Sequence, residues 1–202
     1  MHKHRTINIG MTIGLLWGDI MLEIIQNKLP IAVSEEYSID NITNDFIEDL
    51  FNIYSNEKVA KYIARKTHKS IKDTKEFIEL IKERMEENNN IYLGIYTVIP
   101  KKLVGVIRLL NKEEPEVLTI GYGLSVEYWG RGIMPSAVDS LIPFIKEDGT
   151  YSVLRATIRE ENINSQKSIK KMGFQLSGKL KKTEIVHGKE VESERLLYYK
   201  EL

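Results

Sequence analysis

The chain contains no cysteine, which excludes a disulfide framework, a thiolate zinc site and a cysteine nucleophile. It has no excess charge either: 29 basic residues balance 29 acidic ones. The broad electrostatic footprint of a nucleic-acid binder is therefore missing, and any anion site has to be local. Long apolar runs are absent as well. The opening stretch MHKHRTINIGMTIGLLWGDIMLEII starts basic and turns apolar, but Asp19 and Glu23 interrupt it. No uncharged apolar window of about 18 residues results, and no clean small-residue cleavage site follows. Neither a spanning helix, a secretory signal nor a membrane partner is expected, and a cytoplasmic location fits. His2, His4, His68 and His187 are too scattered for metal-ligand spacing, so no metal site is expected. No internal repeat or low-complexity tract is visible.

What is present is the patterning of one α/β (α+β) domain, for which 202 residues give a sizeable single core. Residues 1–30 form an extension of uncertain role, mixing strand-like alternation at Ile7, Ile9, Met11 and Ile13 with later helical spacing. The domain itself spans 31–202. EEYSIDNI alternates like a short strand, and Phe46, Ile47, Leu50, Phe51 and Tyr54 then share one helical face. KVAKYI follows as a second short helix. Ser70 with Asp73 reads as a capping box that opens a third helix, running to the asparagines at 88–90. Three strand-like runs come next, IYLGIYTV, LVGVIRLLN and VLTIGYGLSV, with connections short enough for antiparallel neighbours. A helix after Gly132, a strand at YSVLRATI and a helix at INSQKSIKKM follow, the last stopped by Gly173 and Phe174. Two further strands then flank a turn around His187. Pro143 inside the helix after Gly132 predicts a kink or an early end there.

One short stretch, WGRGIM at 129–134, carries chemistry. A strand that ends near Val126, two glycines, and a helix beginning after Gly132 form an anion trap. The first N–H groups of a helix lack internal partners and carry a partial positive charge. Gly130 and Gly132 let the backbone come close to a bulky anion, and Arg131 can add a charge-assisted contact. A diphosphate would suit this site. It matches neither a P-loop nor the three-glycine dinucleotide fingerprint. Pro135 fits the first helical turn.

The run IGYGLSVEYWGRGIMPSAV, followed by ENINSQKSIKKMGF, resembles the GNAT superfamily of acyl-CoA-dependent N-acetyltransferases, in the branch that includes the ribosomal-protein N-acetyltransferases. The likeness covers roughly residues 35 to 200. The family's acetyl-CoA loop, [QR]-x-x-G-x-[GA], falls on Trp129, Gly130, Arg131, Gly132, Ile133 and Met134. A second motif falls on Asn162, Ser165, Gly173 and Phe174. The resemblance implies a mostly antiparallel central sheet of about seven strands with helices on both faces and a splay between the two middle strands. It implies that main-chain groups of Leu124 and Val126 pair with the pantetheine of acetyl-CoA, that Asn162 contacts the cofactor or a water, and that Ser165 donates to the departing sulfur. An amine then attacks the thioester directly, without a metal or a covalent enzyme intermediate. Met134 stands in place of a small residue, so its side chain has to turn into the core.

Thr119 occupies a position where relatives often carry a glutamate, so the motif assigns no general base. Glu116 and Glu127 are the nearby carboxylates, and Tyr122 is a possible hydrogen-bond partner. The expected acceptor is a primary amine, either a protein N-terminus or a small amine such as an aminoglycoside or polyamine. A non-catalytic acyl-CoA-binding module is the remaining reading, and the chain is expected as a monomer or homodimer. Asn162 also reads simply as a helix N-cap.

Overall fold

The computed structural model describes residues 21–62, 67–88, 90–111, 114–186 and 189–202. The alternation expected at 7–13 and the turn at His187 lie outside these residues. After helical residues 21–26, the chain forms β1 (Ile31–Ala32), β2 (Tyr37–Asn41), α1 (Ile47–Ser55), α2 (Glu57–Ala60), α3 (Ile71–Asn88), β3 (Ile91–Thr97), β4 (Lys102–Asn111) and β5 (Val117–Leu124). It continues with α4 (Ile133–Asp148), β6 (Val153–Arg159), α5 (Ile163–Lys171), β7 (Gln175–Val186) and β8 (Lys189–Glu201). One 8-stranded sheet results, in the order β1-β2-β3-β4-β5-β6-β8-β7. It has one strand more than the expected seven, because the two-residue β1 is too short to show a period. β5 and β6 are parallel and every other neighbouring pair is antiparallel.

Side-chain alternation along the strands separates two cores. On one face, Val104, Ile107, Leu118, Ile120, Leu154 and Ala156 pack under Ala137, Val138, Leu141 and Ile145 of α4 and Ile169 of α5. Met21 and Ile25, both fully buried, belong to this same core. On the other face, Tyr92, Tyr96, Leu103 and Val106 pack against Leu50 and Ile53 of α1 and Phe77, Ile78 and Ile81 of α3. Each of the Val, Leu, Ile and Phe side chains among these stabilises the fold by about 1.5–3 kcal/mol when fully buried. The α1–α3 layer touches β3 and β4, and it leaves the same face of β5, β6 and β8 uncovered by that core.

The capping box forms as the sequence indicates: the Ser70 N–H donates to Asp73 Oδ2 at 2.9 Å, and the Asp73 N–H to Ser70 Oγ at 3.4 Å. The early end expected at Pro143 does not occur, and α4 runs on to Asp148. Pro143 is exposed, so the Asp139 carbonyl, deprived of its helical donor, can be met by water. His68, expected in a polar loop, is a packing residue. It is 6% exposed, it lies between Tyr54 and Phe77, and its Nδ1 is 3.0 Å from Thr74 Oγ1.

Candidate active site at the splay between two parallel strands

Pairing between β5 and β6 is confined to Val117, Leu118 and Thr119 against Val153, Leu154 and Arg155. Beyond that point the two strands stay paired to their outer neighbours, β5 to β4 and β6 to β8, and part from each other. A cleft of about 880 Å³ occupies the gap, within the usual range for a small-molecule site. It runs through the sheet. Ile120, Tyr122 and Leu124 line it from the α4 face of β5, and Thr119, Gly121 and Gly123 from the opposite face.

The end of β5 presents main-chain groups to this gap. The Ser125 N–H donates to the Val104 carbonyl on β4 at 2.8 Å, so by alternation the polar groups of Leu124 and Tyr122 point the other way, toward the splay. The Leu124 carbonyl accepts from the Trp129 indole at 2.7 Å, which ties the following loop to the strand end. Val126 sits differently. It lies in a short 3-10 turn, its carbonyl accepts from the Trp129 N–H, and its side chain packs into the α1–α3 core.

The glycine pair has a conformational reason. Gly130 and Gly132 have φ of 79° and 77°, where a Cβ is strained, although a Cβ at either position would meet nothing within 4 Å. The loop opens directly onto α4. Gly132 caps this helix without a side chain, and its carbonyl accepts from Ser136 N–H. Pro135 has no N–H, so the free donors of the first turn belong to Ile133 and Met134. Met134 turns its side chain into the core and is 5% exposed. Arg131 is exposed, its guanidinium 5.2 Å from the Tyr128 ring centroid, and it does not line the cleft. Lys167, Lys170 and Lys171 of α5 do. Helix-end donors, an open loop and three lysines fit a ligand bearing a diphosphate and a further phosphate.

Asn162 caps α5, its Oδ1 accepting from Ser165 N–H at 3.1 Å, and it still lines the cleft. Ser165 Oγ lies 3.0 Å from Tyr122 Oη. Burial pushes the Tyr122 hydroxyl up to about 12, against the opposing effect of hydrogen bonds with Ser165 and Ser168. Tyr122 therefore keeps its proton throughout the neutral range. The two hydroxyls form one hydrogen-bonded unit beside the gap.

Of the residues singled out in the sequence, Leu124, Trp129, Gly130, Gly132, Ile133, Met134, Asn162 and Ser165 converge on the cleft. The two candidate carboxylates do not. Glu116 lies on the turn before β5 and accepts from Ser152 Oγ at 3.2 Å. Glu127 is exposed and borders a smaller cavity beside Asp49 and Asn52. Thr119 is 5% exposed, and its hydroxyl accepts from Arg155 Nε at 3.1 Å, while Arg155 Nη1 is held by Glu114. No aspartate or glutamate lines the cleft among the described residues. Sequence reasoning passed over Arg108, a cation inside the apolar strand LVGVIRLLN. Its guanidinium lies against Gly121, where a Cβ would meet Nη2 at 2.7 Å. The break in the apolar pattern was the available signal. No group of three or more potential metal-ligating side chains occurs among the described residues, and no helix there is long and apolar enough to cross a membrane.

Comparison with known proteins agrees with this geometry. The family model "Acetyltransferase (GNAT) domain" matches residues 39–175, about two thirds of the chain. The chain is 25% identical over 153 residues to the uncharacterized N-acetyltransferase YoaA of Bacillus subtilis strain 168, covering 75% of this chain and 86% of that protein. Among solved structures, the microcin C7 self immunity acetyltransferase MccE, in complex with acetyl-CoA and AMP, superposes with a TM-score of 0.73 at 23% identity, covering 86% of this chain and 99% of the other. RimL, the ribosomal L7/L12 alpha-N-protein acetyltransferase, gives a TM-score of 0.73 at 18% identity, covering 85% and 93%. With the split sheet, the glycine turn at a helix N-terminus and the matched domain in agreement, the chain belongs to the GNAT family and is an acetyl-CoA-dependent N-acetyltransferase.

Proposed function

We propose that this protein acetylates a primary α-amine, that of a peptide or protein N-terminus, by direct attack within the β5/β6 splay. The observation that carries this reading is that no carboxylate lines the cleft among the described residues, with Thr119 engaged by Arg155. An enzyme without a carboxylate base works best on a nucleophile that arrives already neutral. At pH 7.5 an α-amine is roughly one third neutral, whereas a lysine-like or polyamine nitrogen is neutral in roughly one molecule per thousand. A cleft lined without carboxylates thus suits the α-amine by a wide margin. The shared fold with RimL, described as an α-N-protein acetyltransferase, is consistent with this choice.

Acetyl-CoA supplies an activated thioester: its acyl carbon forms the new C–N bond, the C–S bond breaks, and the proton lost by the amine ends on sulfur. The chain's own residues do the rest. The N–H groups of Ile133 and Met134 and the lysines of α5 hold the phosphates, and the splayed main chain of Leu124 orients the amide arm. Ser165 and Tyr122 offer hydroxyl donors at the point where charge develops. A hydroxyl raised to about 12 does not yield its proton to a thiolate whose ordinary value is about 8.5, so the pair acts by hydrogen bonding and not as an acid.

The reading is tested with acetyl-CoA and a peptide that has a free N-terminus and one internal lysine. Fragmentation mass spectrometry should place the acetyl group on the α-amine. Acetylation confined to the lysine would reject the α-amine assignment.

A further inference from the structure

The chain as a whole is neutral, yet every charged side chain lining the cleft among the described residues is a cation. The cations divide by face. Lys167, Lys170 and Lys171 belong to α5, on the side of the glycine loop, where phosphates of the cofactor account for them. On the opposite face, Arg108 points the same way as Val106 and Leu110, into the half of the cleft bounded by α2 and α3. Lys58 of α2 and Arg84 of α3 close that half, with Arg159, Lys182 and Arg195 from the far strands. Glu114 holds Arg155 and Glu160 holds Lys179, while Glu161, at 3.8 Å, partly offsets Arg159 of this wall, and none of these carboxylates lines the cleft.

Arg108 is the most informative of these. It is half-buried, and no hydrogen bond or ion pair engages it among the described residues. The strand opposite makes room for it: Gly121 faces Arg108 across the β4–β5 pair, and a Cβ there would lie 2.7–3.1 Å from the guanidinium. The sheet is built to hold a guanidinium flat against the strand that borders the splay, in the half of the cleft left for the acceptor. A planar cation placed this way matches a carboxylate or phosphate in two-point geometry. A polyamine or aminoglycoside would bring like charge into a wall of cations.

We propose that the acceptor is an α-amine whose own molecule carries an anionic group, a carboxylate or phosphate, and that Arg108, assisted by Arg84, receives that group. The inference rests on the α-amine transferase reading above and specifies the substrate class of that site.

The test compares kcat/KM, measured by CoA thiol release, within two series of amines. One series is Ser-Ala-Ala amide, Ser-Asp-Asp amide and Ser-Lys-Lys amide. The other is serine amide and O-phosphoserine amide, with spermidine as a cationic control. The anionic member should exceed its neutral counterpart by roughly 10-fold or more in at least one series, and the series that responds separates a peptide acceptor from a small phosphate-bearing one. Arg108→Gln should cut that preference by roughly 10- to 100-fold through KM while leaving acetyl-CoA affinity, measured by calorimetry, unchanged. Should Arg108→Gln fail to fold, Arg84→Gln, a helix substitution, reads out the same loss of preference. If neutral or cationic amines react equally well, or if the variants keep the preference, the anion assignment is overturned and the transferase reading stands. If no amine reacts although acetyl-CoA binds, both fall.

Discussion

Ser165 and Tyr122 set the first prediction. If the pair stabilises charge at the sulfur by hydrogen bonding, Ser165→Ala should lower kcat by roughly 10- to 100-fold and leave acetyl-CoA affinity unchanged. A weaker affinity with normal kcat would assign Ser165 to cofactor binding instead. The pH profile follows from the same residues. With no carboxylate lining the cleft among the described residues, the rising limb of kcat/KM should follow the acceptor's own amine, near pH 8 for an α-amine. Tyr122, raised to about 12 by burial, is protonated below that value, so it should add no falling limb below about pH 11. A rising limb in the carboxylate range, near pH 4 to 5, would reveal an enzyme base. At this scale the sequence was legible wherever geometry depends on neighbours along the chain. The left-handed glycines and helix start at WGRGIM and the Asn162 cap on Ser165 are such cases. Arg108 against Gly121, and the contacts of Arg155 with Thr119 and Glu114, depend on cross-strand register that no local spacing encodes.

At the scale of elements, the loop between β5 and α4 ties conformation to binding. Gly132→Ala forces a Cβ into a left-handed conformation at a cost of about 1–2 kcal/mol, readable by urea denaturation. The same variant should bind acetyl-CoA more weakly, since the donors of Ile133 and Met134 follow directly. A variant with native stability and affinity would contradict the turn's role. In α4, Pro143→Ala should stabilise the protein by up to about 3 kcal/mol, because alanine restores the donor that the Asp139 carbonyl lacks. The helices were readable from their apolar stripes, and the capping box from Ser70 and Asp73. The full length of β7 and β8 was not. Their pairing extends out to Val186 and Lys189 through charged residues such as Lys181, Lys182, Glu192 and Glu194, which carry no apolar alternation. Backbone hydrogen bonds hold that hairpin, and they leave no trace in side-chain period.

For the whole molecule, zero net charge contrasts with a cleft whose charged lining residues, among those described, are all cations, which concentrates the attraction for anions at one place. Acetyl-CoA affinity should therefore fall as salt rises from 0.01 to about 0.15 M, over which the Debye length shrinks from about 30 to 8 Å. A flat salt dependence would mean that the lysines of α5 do not contact the ligand. The sheet order, the β5/β6 parting and the two cores explain why one opening is lined from both faces of the sheet, as the proposed two-substrate reaction needs. The central claim is that acetyl transfer to an α-amine takes place in this opening. Its most direct test is the stoichiometry of CoA thiol release against N-terminal acetylation of an added peptide. The account predicts one thiol per acetylated α-amine and no release without peptide. Binding of acetyl-CoA without release in the presence of any peptide, or release without acetylated product, would contradict it.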